Sequence, residues 1–589
     1  MANVIPPAAI FIVGALFVPL IRGRVKSAYM LVLPLIAFAI LVKMPEGKYW
    51  IVRILDYDLI FGRVDRLSMV FGYIFTIISF LGILFALKVK DDPQHVSALM
   101  YAGGALGVTF SGDFLSLYIF WELLAISSTF LILARRTRAS QAAAYRYILV
   151  HVFGGLCLLA GIITYIHDSG TTEFANVGLG GTASWLIFIG IALNAAIPPL
   201  HPWLQDAYLE ATVSGAVFMC ALTTKSAVYL MARTFPGTDL LIWLGAVMTV
   251  VPLLYGILEN DVRRVLAYII INQVGFMMVG IGIGTELAIN GAVAHAFCDI
   301  LYVGLLFMAA GSVLHMTGKI RCTDLGGLYK TMPLTGLFCM IGAASISGFP
   351  FFNDFISKSM IISATAHEKL SAVWLVLQFA SAGVFLHAGI KVPFFTFFGE
   401  DSGIRTKEPP LNMVLAMGIA ALLCIVTGVF PGALYNILPY PVRFVPYTAA
   451  HVVNELQLLM FGGLAFFLLI RTGHYPAQVR AINLDADWFY RKGGRLFYYV
   501  MDKALNGVNA LADRAIARGI PTWVGRLSKA PLTSVVSLYM KAMGKDRVAI
   551  EEFKRETGPE STSLMAMGVP VFVSLVFLFS LFVVFAFLG

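Results

Sequence analysis

Apolar runs that are long enough to cross a membrane recur along almost the whole chain. A helix that spans the hydrocarbon core needs about 20 predominantly apolar residues. Because backbone polar groups in lipid must be satisfied within each segment, runs of this length predict helices and not the alternating strands of a barrel. We therefore expect an all-α, polytopic membrane helix bundle of about 14–16 transmembrane helices. The runs are 6–21, 28–43, 67–88, 95–111, 113–134, 142–166, 184–200, 211–234, 239–258, 263–285, 290–315, 333–366, 371–398, 411–431, 453–471 and 565–588.

The composition excludes the main soluble classes. Hydrophobic residues make up 59% of the 589 residues and charged residues only 13%, which is too little polar surface for a soluble globule. The net charge of +9 lacks the aromatic and basic pattern of nucleic-acid binding, so it indicates loop bias and contact with anionic lipid. The six cysteines have neither metal-site nor disulfide spacing, and no nucleotide loop or nucleophile triad occurs. We expect a transporter subunit without a metal or cofactor, with any redox chemistry belonging to other chains.

The chain between the last two apolar runs has a different character. From about residue 476 it becomes mixed and amphipathic, with aromatic clusters at 488–490 and 497–499. Because such a segment cannot cross the bilayer, we expect residues 476–562 to form a lateral segment on the membrane surface or on neighbouring subunits. The alternative is a disordered loop. Residues 563–589 are then expected to form a C-terminal transmembrane anchor.

Two ionisable side chains lie deep within apolar runs. An ionised group at mid-membrane costs about 2.5 to 3.5 kcal/mol on insertion scales, so each one is a candidate for an ion path or a buried pair. Glu122 follows Trp121 inside an otherwise apolar run. Lys225 has no acidic residue within a helical turn, so its partner must come from another helix, or its pKa must fall. Glu122 is a candidate for function, although a single buried carboxylate can also be structural.

Two runs carry helix-breaking sequences. The segment 194–210 holds three prolines, and the segment 345–358 holds Ser-Gly-Phe-Pro before Lys358. Breaks at matching places in two halves of a chain are typical of inverted-repeat transporters, whose path runs through the breaks, although an ordinary proline kink is the alternative. Between them, His295 and Asp299 lie four residues apart on one helix face, a spacing that suits a proton relay. The alternative for His295 is a histidine of the core.

Several motifs together resemble one family of membrane subunits. They are Trp121–Leu124, Pro199–Ala207, Thr224–Tyr229, Asn260–Tyr268 and Phe355–Lys358. In combination they resemble the antiporter-like subunits shared by respiratory complex I and the multisubunit Mrp-type cation/proton antiporters, and most of all the D-type subunit of the Mrp complexes. The resemblance covers most of residues 95–435. The amphipathic segment and the last run also resemble the lateral helix and terminal anchor of the largest antiporter-like subunit of complex I.

The resemblance implies a fold and a function. It implies a proton-translocating subunit in a prokaryotic inner membrane, built from two inverted five-helix repeats with broken helices. The implied partners are other membrane subunits, lipid, protons and in some complexes a monovalent cation, with no nucleic acid. The expected layout is N-terminal transmembrane helices at 1–94, a first repeat at 95–235, a second repeat at 236–400 and additional transmembrane helices at 401–475.

The resemblance also implies a proton path through the middle of the bundle. Its expected members are Glu122, Lys225, His295, Asp299 and Lys358. Auxiliary candidates from the sequence are His151, Asn194, His201, His387 and Lys391.

Three positions depart from the family pattern. Asn194 stands where the family carries lysine in the first broken helix, and an amide cannot store a proton. Val303 stands where many relatives have lysine, and Asp299 where they often have histidine. Two hypotheses follow: a subunit that still conducts, and a scaffold whose path is interrupted. A continuous polar row from Glu122 to Lys358 would favour conduction, whereas an apolar gap around Asn194 and Val303 would favour the scaffold.

Overall fold

The fold is that of a computed structural model, which describes residues 5–174, 176–476, 485–522 and 531–556. The chain divides into two compact units, Met1–Asp487 and Trp488–Gly589. The predicted run 565–588 and the expected anchor 563–589 lie outside the described residues.

The first unit is almost entirely helical. Its helices are α1 Pro7–Phe17, α2 Gly23–Lys43, α3 Arg66–Ala86, α4 Asp92–Phe110, α5 Phe114–Leu133, α6 Arg138–Ser169, α7 Thr182–Asn194, α8 Pro202–Glu210, α9 Val213–Thr234, α10 Asp239–Leu258, α11 Val262–Ile283, α12 Glu286–Thr317, α13 Pro333–Ile346, α14 Asn353–His367, α15 Ser371–Val384, α16 Leu411–Val429, α17 Gly432–Tyr435 and α18 Ala449–Arg471. Eleven helices of the described chain are long and apolar enough to cross a membrane. The prediction of a helical membrane bundle is confirmed.

The two runs with helix-breaking sequences are interrupted. The first stops at Asn194 and resumes at Pro202, and the second stops at Ile346 and resumes at Asn353. Gly348, between α13 and α14, has φ +73°, a left-handed conformation that favours glycine. Each break leaves the last carbonyls of one half-helix without their intrahelical partners at membrane depth, where other polar groups must satisfy them.

Two sets of helices, α4–α9 and α10–α15, share one ground plan, and each has five helices when the two halves of its broken helix are counted as one. Helices α6 and α12 each have 32 residues and end at a left-handed glycine, Gly170 or Gly318. Asp113 and Asp261 are the N-cap residues of α5 and α11. Each forms an isolated antiparallel β-bridge with a residue beyond those 32-residue helices, Glu173 after α6 and Arg321 after α12. The separations from 113 to 261, from 170 to 318 and from 173 to 321 are all 148 residues. The second and third helices of each set therefore correspond position by position.

Burial places three helices at the centre of the bundle. The membrane windows of α9, α11 and α12 are 100%, 94% and 94% buried, whereas that of α18 is 11% buried. Helix α15 continues beyond Val384 in wider π-helical turns at Phe385–Lys391 and Phe394–Phe398. Such wide turns often occur at functional sites.

A β-hairpin that the apolar runs did not predict lies between α2 and α3. Its strands, β1 Gly47–Ile54 and β2 Tyr57–Val64, pair antiparallel. The Ile60 amide donates to Oδ2 of Asp113 at 2.6 Å, and its carbonyl accepts from Gly112 at 2.7 Å, so β2 lies against the start of α5. The strands have eight residues each, too short to register as a membrane span.

The second unit contains amphipathic helices. They are α19, which begins at Asp487 and ends at Ala512, α20 Pro531–Ala542 and α21 Arg547–Glu556, with wider turns at Asp513–Gly519 after α19. Their described side chains are mostly exposed, with apolar and charged residues interleaved. The described part of this segment is therefore helical. Its place on a membrane surface stays a prediction.

Candidate functional site

Lys225 lies at the centre of the bundle and is paired with Asp299. Both side chains are fully buried, one on α9 and the other on α12, and Nζ of Lys225 contacts Oδ2 of Asp299. The ammonium also donates to the Cys220 carbonyl at 3.0 Å. The partner that Lys225 requires thus comes from another helix, as its sequence surroundings predict. It is Asp299, one of the three residues expected from the sequence to depart from the family pattern.

A second buried cluster surrounds Asp354 at the start of α14. Its Oδ2 forms an ion pair with Nζ of Lys358 at 2.5 Å, and its Oδ1 lies 3.0 Å from Nδ1 of His295. The hydroxyl of Tyr302 donates to Oδ1 at 3.2 Å. Lys358 also donates to the Ile346 carbonyl at 3.1 Å. That carbonyl belongs to the end of α13, so the lysine satisfies a group that the break exposes.

The two clusters meet on α12. His295 and Asp299 are one turn apart, and Nδ1 of His295 also lies 3.1 Å from the Ser357 hydroxyl. Among the described residues, neither Nε2 of His295 nor Oδ1 of Asp299 has a hydrogen-bond partner. The buried row therefore reads Lys225, Asp299, His295, Asp354 and Lys358, with a single unbonded step between Asp299 and His295. We call these five residues the buried row.

The charges of the buried row balance. Two lysines face two aspartates, and every side chain of the row is at most 2% exposed. Breaking one partner from a buried pair costs about 3 to 5 kcal/mol, because it leaves an uncompensated charge. The imidazole between the aspartates is the side chain best suited to accept and donate a proton in turn. A proton added to the row or removed from it is therefore expected at His295, which lies where it can pass the proton on.

A polar branch joins the row from α11. Tyr302 donates to Oε1 of Gln273 at 3.1 Å, and Gln273 donates to Oδ1 of Asn272 at 3.1 Å. Asn272 in turn donates to the Thr249 carbonyl on α10. These groups hold Tyr302 against Asp354 without adding charge.

Val303 does not interrupt the row, although an apolar gap was one expectation there. It is buried on α12, one turn beyond Asp299. The row leaves α12 at His295 and crosses to Asp354 on α14. It therefore does not pass the position of Val303.

Glu122 is not brought to Lys225 by any contact among the described residues. Its carboxylate is partly buried, and it hydrogen-bonds with the Tyr118 hydroxyl. Oε1 of Glu122 lies directly against Gly155 of α6. A methyl group added at Gly155 would overlap this oxygen. No ion pair to Glu122 lies within 4.0 Å in the part of the chain that the structure describes. Its role in the path stays a prediction.

Asn194 is buried at the end of α7. Neither its Nδ2 nor its Oδ1 has a partner among the described groups. An unpartnered buried amide costs about 1 to 3 kcal/mol, so this site is polar and unsatisfied within the chain. The first broken helix therefore lacks the ion-paired lysine that Lys358 supplies in the second.

Two auxiliary candidates lie near the first broken helix. His151 stacks on Tyr147 with ring centroids 3.9 Å apart, and its Nδ1 lies 2.9 Å from the Tyr147 carbonyl. Nε2 of His201 lies 3.2 Å from Asp485, which also accepts from Tyr268 at 2.8 Å. Burial alone would raise the pKa of Asp485, but the hydrogen bond and charge of His201 bring that pKa below its ordinary value. His201 is thus anchored by a carboxylate and not by the buried row.

The other two auxiliary candidates stabilise the end of α10. Nζ of Lys391 donates to the carbonyls of Gly256 and Glu259 at 3.0 and 2.6 Å. Nε2 of His387 lies 2.6 Å from the Leu253 carbonyl. Both residues belong to the wide turns that follow α15. Lys391 acts as a cap on α10, because it satisfies carbonyls at the helix end that lack helical partners.

Two carboxylates within apolar runs were not singled out from the sequence. Asp354 stands four residues before Lys358 within an apolar run, and this (i, i+4) spacing of opposite charges could have identified the pair. Glu455 is the single acidic residue within the predicted run 453–471. In the described chain no group of three or more metal-binding side chains is assembled.

A known protein family is similar to the part of the chain that carries most of this site. Residues 111–385 match the family model described as NADH:quinone oxidoreductase/Mrp antiporter, TM. The match is a similarity over 275 of the 589 residues. The matched residues contain the whole buried row, from Lys225 to Lys358.

A curated relative extends the similarity beyond that segment. The chain is 31% identical over 504 residues to the A-type subunit of the Na(+)/H(+) antiporter of Alkalihalophilus pseudofirmus, an alignment that covers 76% of this chain and 62% of that protein. The chain thus spans less than two thirds of the length of this relative. Because the relative is of the A type, the expected similarity to the D-type subunit is not confirmed.

Solved structures show the same fold. A chain of the membrane-bound sulfane sulfur reductase, an archaeal respiratory membrane complex, superimposes with a TM-score of 0.71 at 22% identity, covering 90% of this chain and 99% of that chain. A chain of the Mrp complex from Dietzia sp. superimposes with a TM-score of 0.64 at 18% identity, covering 78% and 99%. The chain therefore has the fold of antiporter-like subunits of multisubunit membrane complexes.

Proposed function

We propose that this chain is a proton-translocating subunit of a multisubunit cation/proton antiporter or of a related redox-driven membrane complex. The buried row is the observation that carries the proposal. Five ionisable side chains at the centre of an apolar bundle are costly to insert. Their contacts form two clusters, Lys225 with Asp299 and Lys358 with Asp354 and His295, which are separated by one unbonded step between Asp299 and His295. We propose that the partners are other membrane subunits and lipid, in a prokaryotic cytoplasmic membrane.

The geometry supports a two-state transfer at His295. In one state Asp299 neutralises Lys225, and the imidazole hydrogen-bonds only to Asp354 and Ser357. If Nε2 of the imidazole accepts a proton, the Asp299 carboxylate attracts two cations, protonated His295 and Lys225. The positive charge on His295 also weakens the electrostatic attraction between Asp354 and the Lys358 ammonium. The ammonium can then release its proton. The unbonded step between His295 and Asp299 is then the gate of the row.

Two observations favour the scaffold hypothesis. Asn194 has no partner within the described chain, and Glu122 has no described contact with Lys225. The first repeat therefore offers no ion-paired link to the buried row comparable with the one around Asp354. A conducting subunit must bridge this distance with water or with a neighbouring chain of the complex.

Replacement of Lys358 by alanine separates the two hypotheses. Conduction predicts that proton-coupled transport is abolished in membrane vesicles that hold the assembled complex, while the neighbouring subunits still co-purify. Glu122→Ala in the same assay tests whether the path extends into the first repeat, and loss of transport is expected. Wild-type transport by both variants would leave only the scaffold.

A further inference from the structure

A cavity opens beside the second broken helix and reaches Lys358. Its volume is about 190 Å³, which is room for several water molecules. One wall follows a face of α14 from Lys358 through Ser359 and Ser363 to Ala366. Lys358 is buried and Ala366 is exposed, one residue before α14 ends at His367. The cavity therefore leads from the middle of the bundle to the end of α14.

The opposite wall of the cavity belongs to α18 and carries one carboxylate, that of Glu455. Its Oε1 accepts a long hydrogen bond of 3.4 Å from the Ser381 hydroxyl on α15. No cation lies within 4.0 Å of it in the part of the chain that the structure describes. A carboxylate held by one weak bond within a transmembrane helix is costly, so a structural role explains it poorly.

Gly348 sets the distance between Glu455 and Lys358. A methyl group built at Gly348 would lie 2.9 Å from Oε1 of Glu455 and 3.9 Å from Nζ of Lys358. The ammonium and the carboxylate thus face each other across a space that only a residue without a side chain leaves open. The gap is too wide for an ion pair, and a water molecule could bridge it.

We propose that Glu455 is the proton-exchange partner of Lys358 and that the cavity is the water-filled passage between the buried row and the end of α14. The inference rests on the proposed function. The Lys358 ammonium passes one proton through water to the Glu455 carboxylate, which leaves a neutral amine and a carboxylic acid with no change in total charge. The acid then releases the proton to water along Ser359 and Ser363. Transport in the other direction reverses these steps.

The groups that face Glu455 are suited to this exchange. Lys358 and Asp354 approach from α14, Ser381 from α15, and His451 lies one turn earlier on α18 itself. When Lys358 gives up its proton, Asp354 still holds its second partner, His295. Lys358 can therefore discharge without leaving an unpaired carboxylate behind.

Glu455→Gln in the full complex tests the proposal, because the amide keeps the shape and cannot accept a proton. We expect proton transport in vesicles to fall by about a hundredfold, the low end of what a positioned acid–base group contributes, with assembly of the complex unchanged. Glu455→Asp should retain transport with a shifted pH profile. Glu368→Gln, at the exposed end of α14, is the matched control and should transport like the wild type. If Glu455→Gln transports normally while Lys358→Ala does not, this inference fails and the proposed function stands.

A second pair of variants tests the gap itself. Gly348→Ala places a methyl group between Lys358 and Glu455, whereas Gly318→Ala imposes a similar backbone strain, φ +68° against +73°, in open space. We expect transport to be lost in the first and retained in the second, at comparable assembly. Equal transport by the two variants would overturn the proposal.

Discussion

Asp299 of α12 lies against Lys225 of α9, and both side chains are completely buried. A departure from the family pattern at one position thus supplies the counter-charge for a lysine on another helix. Because each of these groups would be unpaired without the other, the pair should behave as one unit in stability and in transport.

Removing one member of this pair should destabilise the bundle. Asp299→Asn leaves the Lys225 ammonium without its carboxylate, at a cost of about 3 to 5 kcal/mol. The double variant Lys225→Met/Asp299→Leu removes both charges and should recover most of that loss, while transport stays abolished. Thermal unfolding of the purified complex measures the first effect and vesicle assays the second. Equal stability of the single and double variants would contradict the pairing.

His295 should be required for transport and dispensable for assembly. In His295→Gln the amide can still donate to Asp354, so the local packing is kept, but no proton can be relayed. We expect proton transport to fall by about a hundredfold or more. His315→Gln, at the exposed end of the same helix, is the control and should be normal. Transport by His295→Gln at the control rate would exclude His295 from the path.

Lysine at position 194 should increase proton flux. Asn194 is buried with both polar atoms unpartnered among the described groups, so a lysine there adds a group that can hold a proton near the first broken helix. We expect Asn194→Lys to raise the initial rate of transport, and Asn194→Gln, which adds length without a titratable group, to leave it unchanged. An unaltered rate in Asn194→Lys would show that the native asparagine does not limit the route.

The contact between His201 and Asp485 should depend on pH. Because its partners hold the pKa of Asp485 below the ordinary value of about 3.9, its contribution to stability is complete above that value and is lost as the pH falls through the lower native pKa. Asp485→Asn should therefore lower the unfolding temperature at pH 6 and lose this effect in strong acid. Unfolding temperatures of both proteins over a pH series measure the difference. A difference that persists unchanged to the lowest pH would contradict the assignment.

Much of the architecture could be predicted from apolar runs, because a lipid-facing or buried helix needs an uninterrupted apolar stretch. The two breaks were also visible, since proline and glycine remove helical hydrogen bonds wherever they occur. The β-hairpin could not be seen this way, because its eight-residue strands are stabilised by contacts with α5 that a local pattern does not contain.

Pairings between helices were harder to predict than the residues that make them. Lys225 and Asp299 were both identified as unusual, but 74 positions separate them in the chain, and only packing shows that they meet. The 148-residue repeat could have been found from Asp113 and Asp261, and it places His151 where the second repeat has Asp299, and Gly155 where it has Val303. The two repeats therefore keep one backbone plan but carry different chemistry at the same positions.

Proton flux through the assembled complex carrying Asp354→Asn tests the central claim most directly. Asp354 is the carboxylate shared by His295 and Lys358, whereas Asp401, paired with Lys330 and Arg405 at the surface, provides the control Asp401→Asn. We predict that Asp354→Asn abolishes proton flux in complexes with a full set of subunits, and that Asp401→Asn leaves it intact. Normal flux in Asp354→Asn would contradict transport through the buried row.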